Sequence, residues 1–403
     1  MKKFFSLLVI SGILAQGVTG CLKPGEYGYT FTSEDETLAG TVVTAGDSEG
    51  LYYKLFVLNE GQQGTNGAEL DFLRITDGKY VNSAFGQMNN NKKLGDVAND
   101  IKVYGNTLWL AVTNSGLVVV LDASNEKEIA EFPIPTPRGV TFSGDYAYVS
   151  SWGYNASPSQ NETIDVKGAV YRINLSTSQS DSEPIPVGYQ PEGIVATRSG
   201  SVWVANSGGV HGYMAGEYER TIQVIEPNFS HVTSTIEVAD NLKDLLYDSD
   251  NEIVWATSPG DFFTVHSGVY PVSVAQLAPI ERSAELAAVR FTCASLASEG
   301  RLFVIGTDDE WDWAGPRHYN FYMISSNGGV EKIPFDNTAA AVVSNPYAIQ
   351  QNPVNGDVYI TDAGDYVNPG MLYCFDKNLD LKWKVATGVC PGHLALYALA
   401  VYY

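Results

Sequence analysis

Cysteine is scarce in this chain, with four in 403 residues, at positions 21, 293, 374 and 390. Beyond position 21 the count is odd, so a disulfide framework is not what holds the fold together. Cys293 lies in an apolar strand and reads as a buried thiol, while pairing of Cys374 with Cys390 stays open. Cations are scarce too, with 24 Lys and Arg against 46 Asp and Glu and a formal charge of −22. That balance excludes nucleic acid and anionic lipid headgroups as natural partners, because phosphate recognition needs basic clusters. The acidity serves solubility. No long segment carries a 3.6-residue apolar period, which excludes a helical bundle or helical solenoid.

Signatures of catalysis are missing as well. There is no Gly-X-Ser-X-Gly elbow, no His-Glu-X-X-His helix and no glycine-rich phosphate cradle before a helix. The five histidines are scattered without metal-ligand spacing. The acidic run Asp308-Asp309-Glu310 with Asp312 lacks the regular alternation of a calcium loop and reads as a hydrated turn. The expectation is a protein that is not an enzyme and holds no cofactor or metal.

What is present begins with the first twenty residues. Lys2 and Lys3 precede an apolar stretch over 4–14, and Val18-Thr19-Gly20 lead into Cys21. The stretch is too short and wrongly flanked for a spanning helix and reads as a secretory signal. Its last four residues resemble a bacterial lipobox, which makes Cys21 the expected lipidation site and acyl chains the membrane tether. Residues 21–50 are expected to be a lipidated tether and edge, and residues 51–403 the folded domain.

That domain is repetitive. Residues 188–225 show the unit most clearly: an apolar run after Pro191-Glu192, a polar turn, a second apolar run ending in Asn206-Ser207-Gly208-Gly209, a long loop and a third run. Such runs between Gly, Ser and Asn clusters are strand and turn signals. Small polar clusters close the second run of each unit at Asn59, Asn114, Ser151, Asn206, Ser258, Thr307 and Asp362. Seven units of roughly 50 residues predict an all-β, seven-bladed β-propeller with four strands per blade. The first unit lacks an inner strand: its strands are expected over 51–58, 68–75 and 79–85. The C-terminus has a spare one over 394–402, announced by Cys390-Pro391-Gly392-His393 as the others are by Gln190-Pro191-Glu192-Gly193 or Thr136-Pro137-Arg138-Gly139. The last strand should therefore complete the first blade and leave no open edge on the axis.

In a propeller the second-to-third strand loops and the starts of the innermost strands share one face. Here those loops are long, over 59–67, 153–167, 208–220, 259–268, 308–318 and 363–370. Only the second unit has a tight turn, over 113–116. Insertions confined to one face mark it as the binding face. The loops carry Trp152, Tyr154, His211, Tyr213, Phe262, Phe263, Trp311, Trp313, Tyr319, Asp365 and Tyr366. Aromatics with polar neighbours suit a flat, partly apolar ligand or a protein partner. The starts of the innermost strands, over 96–100, 137–138, 190–192, 241–244, 290–292 and 345–347 and at His393, supply a central mouth, with Asn99, Arg138, Glu192, Tyr347 and His393 as its candidate ligand contacts and Asn206 closing a neighbouring strand. Such a set can orient a ligand that has many hydrogen-bonding edges.

Several stretches carry a family resemblance over nearly the whole mature chain: LFVLNEG at 55–61, LGDVANDIKVYGNTLW at 94–109, YVSSW at 148–152, GYQPEGI at 188–194, VWVANSGG at 202–209, WATSPGDFF at 255–263 and VYITDAGDYVNPGMLYCFDKNLDLKW at 358–383. They resemble the YncE-like propeller lipoproteins of gut Bacteroidetes. Within that family the likeness is greatest to the surface cobalamin (vitamin B12)-binding propellers that work with a TonB-dependent outer-membrane cobalamin transporter. The resemblance implies a surface lipoprotein that captures a corrinoid small molecule and passes it to the transporter. Two features depart from the family. The residues after Cys21 are Leu22-Lys23-Pro24-Gly25-Glu26 rather than a serine and acidic run, which leaves display on the periplasmic side open. The sixth unit carries a Trp311-Asp312-Trp313 insertion. Two alternatives also stay open: a propeller binding a glycan or peptide or serving as an interaction scaffold, and a hydrolase of the lactonase type with an axial metal near Glu192, Asn99 and Asp100.

Overall fold

The computed structural model describes residues 38–47, 52–154, 166–181, 183–209, 212, 217–261, 264–307, 319–333 and 343–398. Its strands form seven antiparallel sheets, each a blade, arranged as a seven-bladed propeller. From the axis outward, blade 2 contains Ala98–Tyr104, Thr107–Val112, Leu117–Asp122 and Glu128–Pro133. Blades 3 to 7 repeat the order, their innermost strands being Pro137–Ser143, Pro191–Ala196, Leu245–Asp248, Arg290–Leu296 and Pro346–Gln351.

The second strand of each blade is sandwiched between neighbouring blades, so both of its faces are apolar. Lys54–Asn59, Val202–Asn206, Ile253–Ser258 and Val358–Asp362 are buried at every position. Alternation then divides each strand between two interfaces. Phe56 and Leu58 pack toward blade 2, whereas Leu55 and Val57 pack toward blade 7. Trp203 and Ala205 face blade 5, whereas Val202 and Val204 face blade 3. The buried apolar residues form a separate cluster at each junction between neighbours, including that between blades 7 and 1. The core is thus a ring of inter-blade layers around a polar axis.

Closure occurs as the sequence predicts. Pro391–Tyr397 pairs antiparallel with Lys54–Asn59, Leu58 facing His393 and Lys54 facing Tyr397, and becomes the innermost strand of blade 1. It starts three residues before the expected boundary, because Pro391 already pairs with Asn59. At the outer edge of the same blade, Thr41–Val42 pairs with Lys79–Val81, so part of the segment expected as tether is a fifth strand. The strand expected over 79–85 stops at Val81: Ser83 adopts φ 50°, its amide bonds to Asp71 Oδ1 at 2.8 Å, and Ala84–Met88 forms a short helix. Cys293, Cys374 and Cys390 are all free and buried, so Cys374 and Cys390 do not pair.

Candidate functional site at the channel mouth

A repeated backbone device shapes the mouth. Val97, Thr136, Gln190 and Cys390 adopt positive φ, between 39° and 53°, directly before an innermost strand, and Asn241 does so at 55° four residues before one. β-Branched residues such as Val97 and Thr136 rarely tolerate that conformation, and strain of this kind is retained where surrounding structure enforces it. Immediately after it the pairing register slips, at Ala98/Asp100, Pro191/Ile194 and, without a positive φ, at Phe291/Cys293 and Pro346/Ile349. A bulge of this kind re-aims the side chain that follows. The re-aimed positions include Asn99, Arg138, Glu192 and Tyr347.

The structure brings several predicted residues together. Arg138 Nε donates to Glu192 Oε2 at 2.7 Å and Nη1 to Asn99 Oδ1 at 2.6 Å, linking blades 2, 3 and 4. Its guanidinium lies 4.7 Å from the Trp152 ring centroid, and Trp152 Nε1 donates to Glu192 Oε1 at 3.1 Å. Burial pushes the Glu192 carboxyl above its ordinary range, against the pull of Arg138. Tyr154 packs beside Trp152 with centroids 6.0 Å apart, and its hydroxyl accepts from Gln190 Nε2 at 2.9 Å.

A second group gathers on the blade 1 and blade 7 side. Tyr347 donates its hydroxyl to Glu60 Oε2 at 2.9 Å, and His393 Nε2 lies 3.4 Å from Glu60 Oε1. Burial alone would raise the Glu60 carboxyl, but His393, the Tyr347 hydroxyl and the charge of Lys243 hold it below its ordinary value. Gly392 makes room for it: a Cβ there would stand 2.2 Å from Glu60 Oε1. Tyr366 stacks edge-on against Tyr347 at 5.7 Å and is 43% exposed on the rim.

Glu60 and Lys243 were not among the sequence-derived candidate contacts, and Lys243 differs from Arg138 and His393, two other basic groups at the mouth. The Lys243 side chain is 50% exposed, and among the described residues its nearest carboxylate oxygen is Asp244 Oδ2 at 3.9 Å and its ammonium makes no hydrogen bond. The charge of Asp244, chiefly, with those of Glu60 and Glu192, outweighs desolvation and keeps the ammonium protonated. These carboxylates come from blades 5, 1 and 4, so Lys243 projects into the space between blades. The sequence does carry a signal: Asn241-Leu242-Lys243 occupies the place of Gln190-Pro191-Glu192 and Thr136-Pro137-Arg138.

Two other candidates sit elsewhere. Asn206 is fully buried within blade 4, where Nδ2 donates to Thr221 Oγ1 and Gln223 Oε1 at 3.1 and 3.2 Å. It ties strands together rather than lining the mouth, because the polar cluster ends a strand that is itself enclosed. Asp365 folds its own loop, its Oδ1 accepting from the amides of Asn368 and Val367 at 2.8 and 3.0 Å, and these bonds hold its carboxyl below the usual range. His211, Phe262, Phe263, Trp311, Cys21 and the acidic run 308–312 lie outside the described residues. Among the described residues no group of three His, Cys, Asp or Glu is placed to hold a metal ion.

Beside the mouth, over blade 2, lies a cleft of about 660 Å³ bounded by Gln63, Asp96, Asn114, Leu117, Ile134 and Thr136. A smaller cleft of about 270 Å³ lies on blade 6, away from the mouth, between Arg301, Met323 and Glu331.

Solved structures share the fold at low identity. A functionally unknown protein from Desulfotomaculum acetoxidans is similar with TM-score 0.57 and 10% identity, over 86% of this chain and 99% of its own. Hydrazine synthase from Kuenenia stuttgartiensis gives 0.53 and 16%, over 74% and 93%. A quinonprotein alcohol dehydrogenase-like protein from Bacteroides thetaiotaomicron gives 0.51 and 12%, over 86% and 78%. At these identities the likeness concerns the fold alone. No curated protein matches the sequence. Residues 53–379 match a family model described as a domain of unknown function, DUF5074, and the chain belongs to that family.

Proposed function

We propose that this propeller is a non-enzymatic binding protein, anchored to the outer membrane through Cys21, that captures a corrinoid at its channel mouth and hands it to a TonB-dependent transporter. The observation that carries the reading is the division of labour at the mouth. Arg138 is engaged with Glu192 and Asn99, and Tyr347 with Glu60, which fixes the shape of the site, while the Lys243 ammonium makes no hydrogen bond among the described residues and is the donor we assign to a ligand. Around them Trp152, Tyr154, Tyr347 and Tyr366 offer ring surface. A rigid polar ring with one available cation and an aromatic rim suits a broad, flat ligand edged with amide acceptors. The carboxylates around Lys243 disfavour a strongly anionic ligand, and a corrinoid bears a single phosphodiester. No activated nucleophile stands among the thiols, since burial pushes Cys293 and Cys390 up to about 12 and about 11.

The test uses the full chain purified in detergent, mixed with cyanocobalamin and passed through a desalting column. The expected result is red protein at near one-to-one stoichiometry by its visible spectrum. Colourless protein with both cyanocobalamin and cobinamide overturns the corrinoid reading and directs the search to neutral glycans and peptides.

A further inference from the structure

The loop of blade 7 between Val358–Asp362 and Pro369–Phe375 stands on the rim of the mouth. Its crest, Asp365, Tyr366, Val367 and Asn368, is exposed throughout. Apolar burial therefore does not hold the crest in place; hydrogen bonds do. At the base the Ala363 amide donates to the Asn345 carbonyl at 3.0 Å, and the Gly364 amide donates to Asp362 Oδ1 at 2.8 Å. Asn345 Nδ2 donates in turn to the Gly364 carbonyl. Asn345 directly precedes the innermost strand Pro346–Gln351, so the loop is fastened to its own blade's entry to the mouth.

At the crest Asp365 does the fixing. Its Oδ1 accepts from the Val367 and Asn368 amides at 3.0 and 2.8 Å, and its Oδ2 accepts from Asn368 Nδ2 at 2.7 Å. An Asp side chain that bonds the backbone two residues on mimics a backbone turn and sets the loop's path. The Tyr366 amide closes the same turn onto the Ala363 carbonyl at 2.9 Å. Both Asp365 oxygens are thus turned into the loop.

What the turn holds is Tyr366, at φ 63°. A residue with a Cβ enters that left-handed region at a cost and stays there where its surroundings enforce it. Its carbonyl accepts from the Cys390 thiol at 3.6 Å, across the seam between blade 7 and the closing strand. Its ring meets Tyr347 edge-on with centroids 5.7 Å apart, and the Tyr347 hydroxyl donates to Glu60 Oε2 at 2.9 Å. Contacts therefore run from Asp365 through Tyr366 and Tyr347 to the polar ring of the mouth. Tyr366 is nevertheless 43% exposed: one edge is braced and the remainder is open to solvent.

We propose that Asp365 is a positioning residue for ligand capture, which sets the loop so that the Tyr366 ring forms a ready-made apolar wall at the mouth. The proposal rests on the corrinoid reading above, in which the wall covers part of the apolar face of the macrocycle. A loop already ordered before the ligand arrives adds no ordering cost to binding, so its rigidity appears as affinity. The carboxylate acts through Tyr366 and makes no ligand contact of its own.

The experiment is calorimetric titration of the full chain with cyanocobalamin, for the wild type, Asp365→Ala, Asp365→Asn, Tyr366→Ala and the double variant Asp365→Ala with Tyr366→Ala. Tyr366→Ala should weaken binding about tenfold. Asp365→Ala should weaken it about fivefold, with a melting curve like that of the wild type, because the crest is exposed. Asp365→Asn should restore the affinity, since its amide oxygen accepts the same two backbone N–H groups. In the Tyr366→Ala background, Asp365→Ala should add no further loss, the mark of a residue that acts through another. Wild-type affinity in Asp365→Ala or in Tyr366→Ala, or the same fivefold loss in both backgrounds, overturns the positioning role while leaving mouth capture standing. An equal loss in Asp365→Asn and Asp365→Ala assigns the effect to the charge, and a lowered melting midpoint in Asp365→Ala assigns it to a loosened blade; either result overturns the role as well. A wild type that binds neither cyanocobalamin nor cobinamide overturns the corrinoid reading and the positioning role with it.

Discussion

Two of the ion pairs that join neighbouring blades stand in different settings. Lys54 of blade 1 meets Glu126 of blade 2 at 2.6 Å with both side chains fully buried. Lys54 Nζ also donates to the Ser124 carbonyl at 2.7 Å and lies 4.5 Å from the Phe72 ring centroid. Arg138 of blade 3 meets Glu192 of blade 4 at 2.7 Å, but these side chains keep 17% and 15% of their exposure. The first pair seals the seam beside the closing strand, where Tyr397 completes the adjoining apolar cluster. The second lines the mouth. A sealed pair can serve only the fold; a pair that water still reaches can also serve a ligand.

The largest expected effect comes from breaking the sealed pair. Lys54→Met leaves Glu126 as a buried carboxylate without its cation, and removing one partner of such a pair costs about 3–5 kcal/mol. Denaturant midpoints should fall accordingly, while the protein that remains folded binds ligand with unchanged affinity. Adding Glu126→Leu should recover much of the loss, because the desolvation penalty then disappears with the charge. A loss below about 1 kcal/mol for the single variant contradicts the assignment of the pair as a structural latch.

Asp71 sharpens the comparison, because it is a buried carboxylate whose partners among the described residues include no cation. It accepts from the Ser83 amide at 2.8 Å, Tyr80 Oη at 3.0 Å, the Gly388 amide of blade 7 at 3.2 Å and Asn82 Nδ2 at 3.3 Å. Burial raises its pKa from the ordinary 3.8 to about 6. The folded state therefore holds this proton more tightly than the unfolded chain. The resulting stabilisation is fully present below pH 3.8 and is lost as pH rises through about 6. The difference amounts to roughly 3 kcal/mol at most. Wild type should gain stability on acidification from pH 7 to pH 5 relative to Asp71→Asn, which lacks the titration; parallel pH profiles for the two would refute it. Glu60 acts with the opposite sign. Its lowered pKa gives stability present above its ordinary 4.5 and lost as pH falls below that value, so the two carboxylates separate by window.

The second strands were legible because burial on two sides demands unbroken apolar runs, and those runs gave the blade number and the closure. The end of blade 1 was not. Ala84 and Phe85 continue an apolar pattern, but the chain turns at Ser83 because Asp71, twelve residues earlier, captures its amide. Asn206 misled for a related reason: a polar residue that ends a strand looks exposed until the neighbouring blade covers it. Arg138, Glu192 and Asn99 were found from their places after the strand-opening residue. Lys243 lies in the strand-entry segment 241–244 that the sequence assigns to the mouth but was not singled out within it, and Glu60 escaped because it reaches the mouth from the end of a second strand rather than from an innermost one.

The open pair and its neighbour provide the smaller stability effects and the sharper functional ones. Arg138→Met removes the partner of Glu192 and the ring contact to Trp152, yet water reaches the carboxylate, so the expected loss is about 1–3 kcal/mol. Lys243→Met removes a half-exposed ammonium that makes no hydrogen bond among the described residues, so stability should stay within about 0.5 kcal/mol of wild type. Cyanocobalamin affinity should nevertheless fall about tenfold or more, and Lys243→Arg should retain most of it, since a donor still projects into the channel. If Lys243→Met binds as wild type does, the ammonium serves only to neutralise Glu60, Glu192 and Asp244. Stability should then drop instead, because three carboxylates would repel one another across the mouth, so the two readouts move in opposite directions under the two roles.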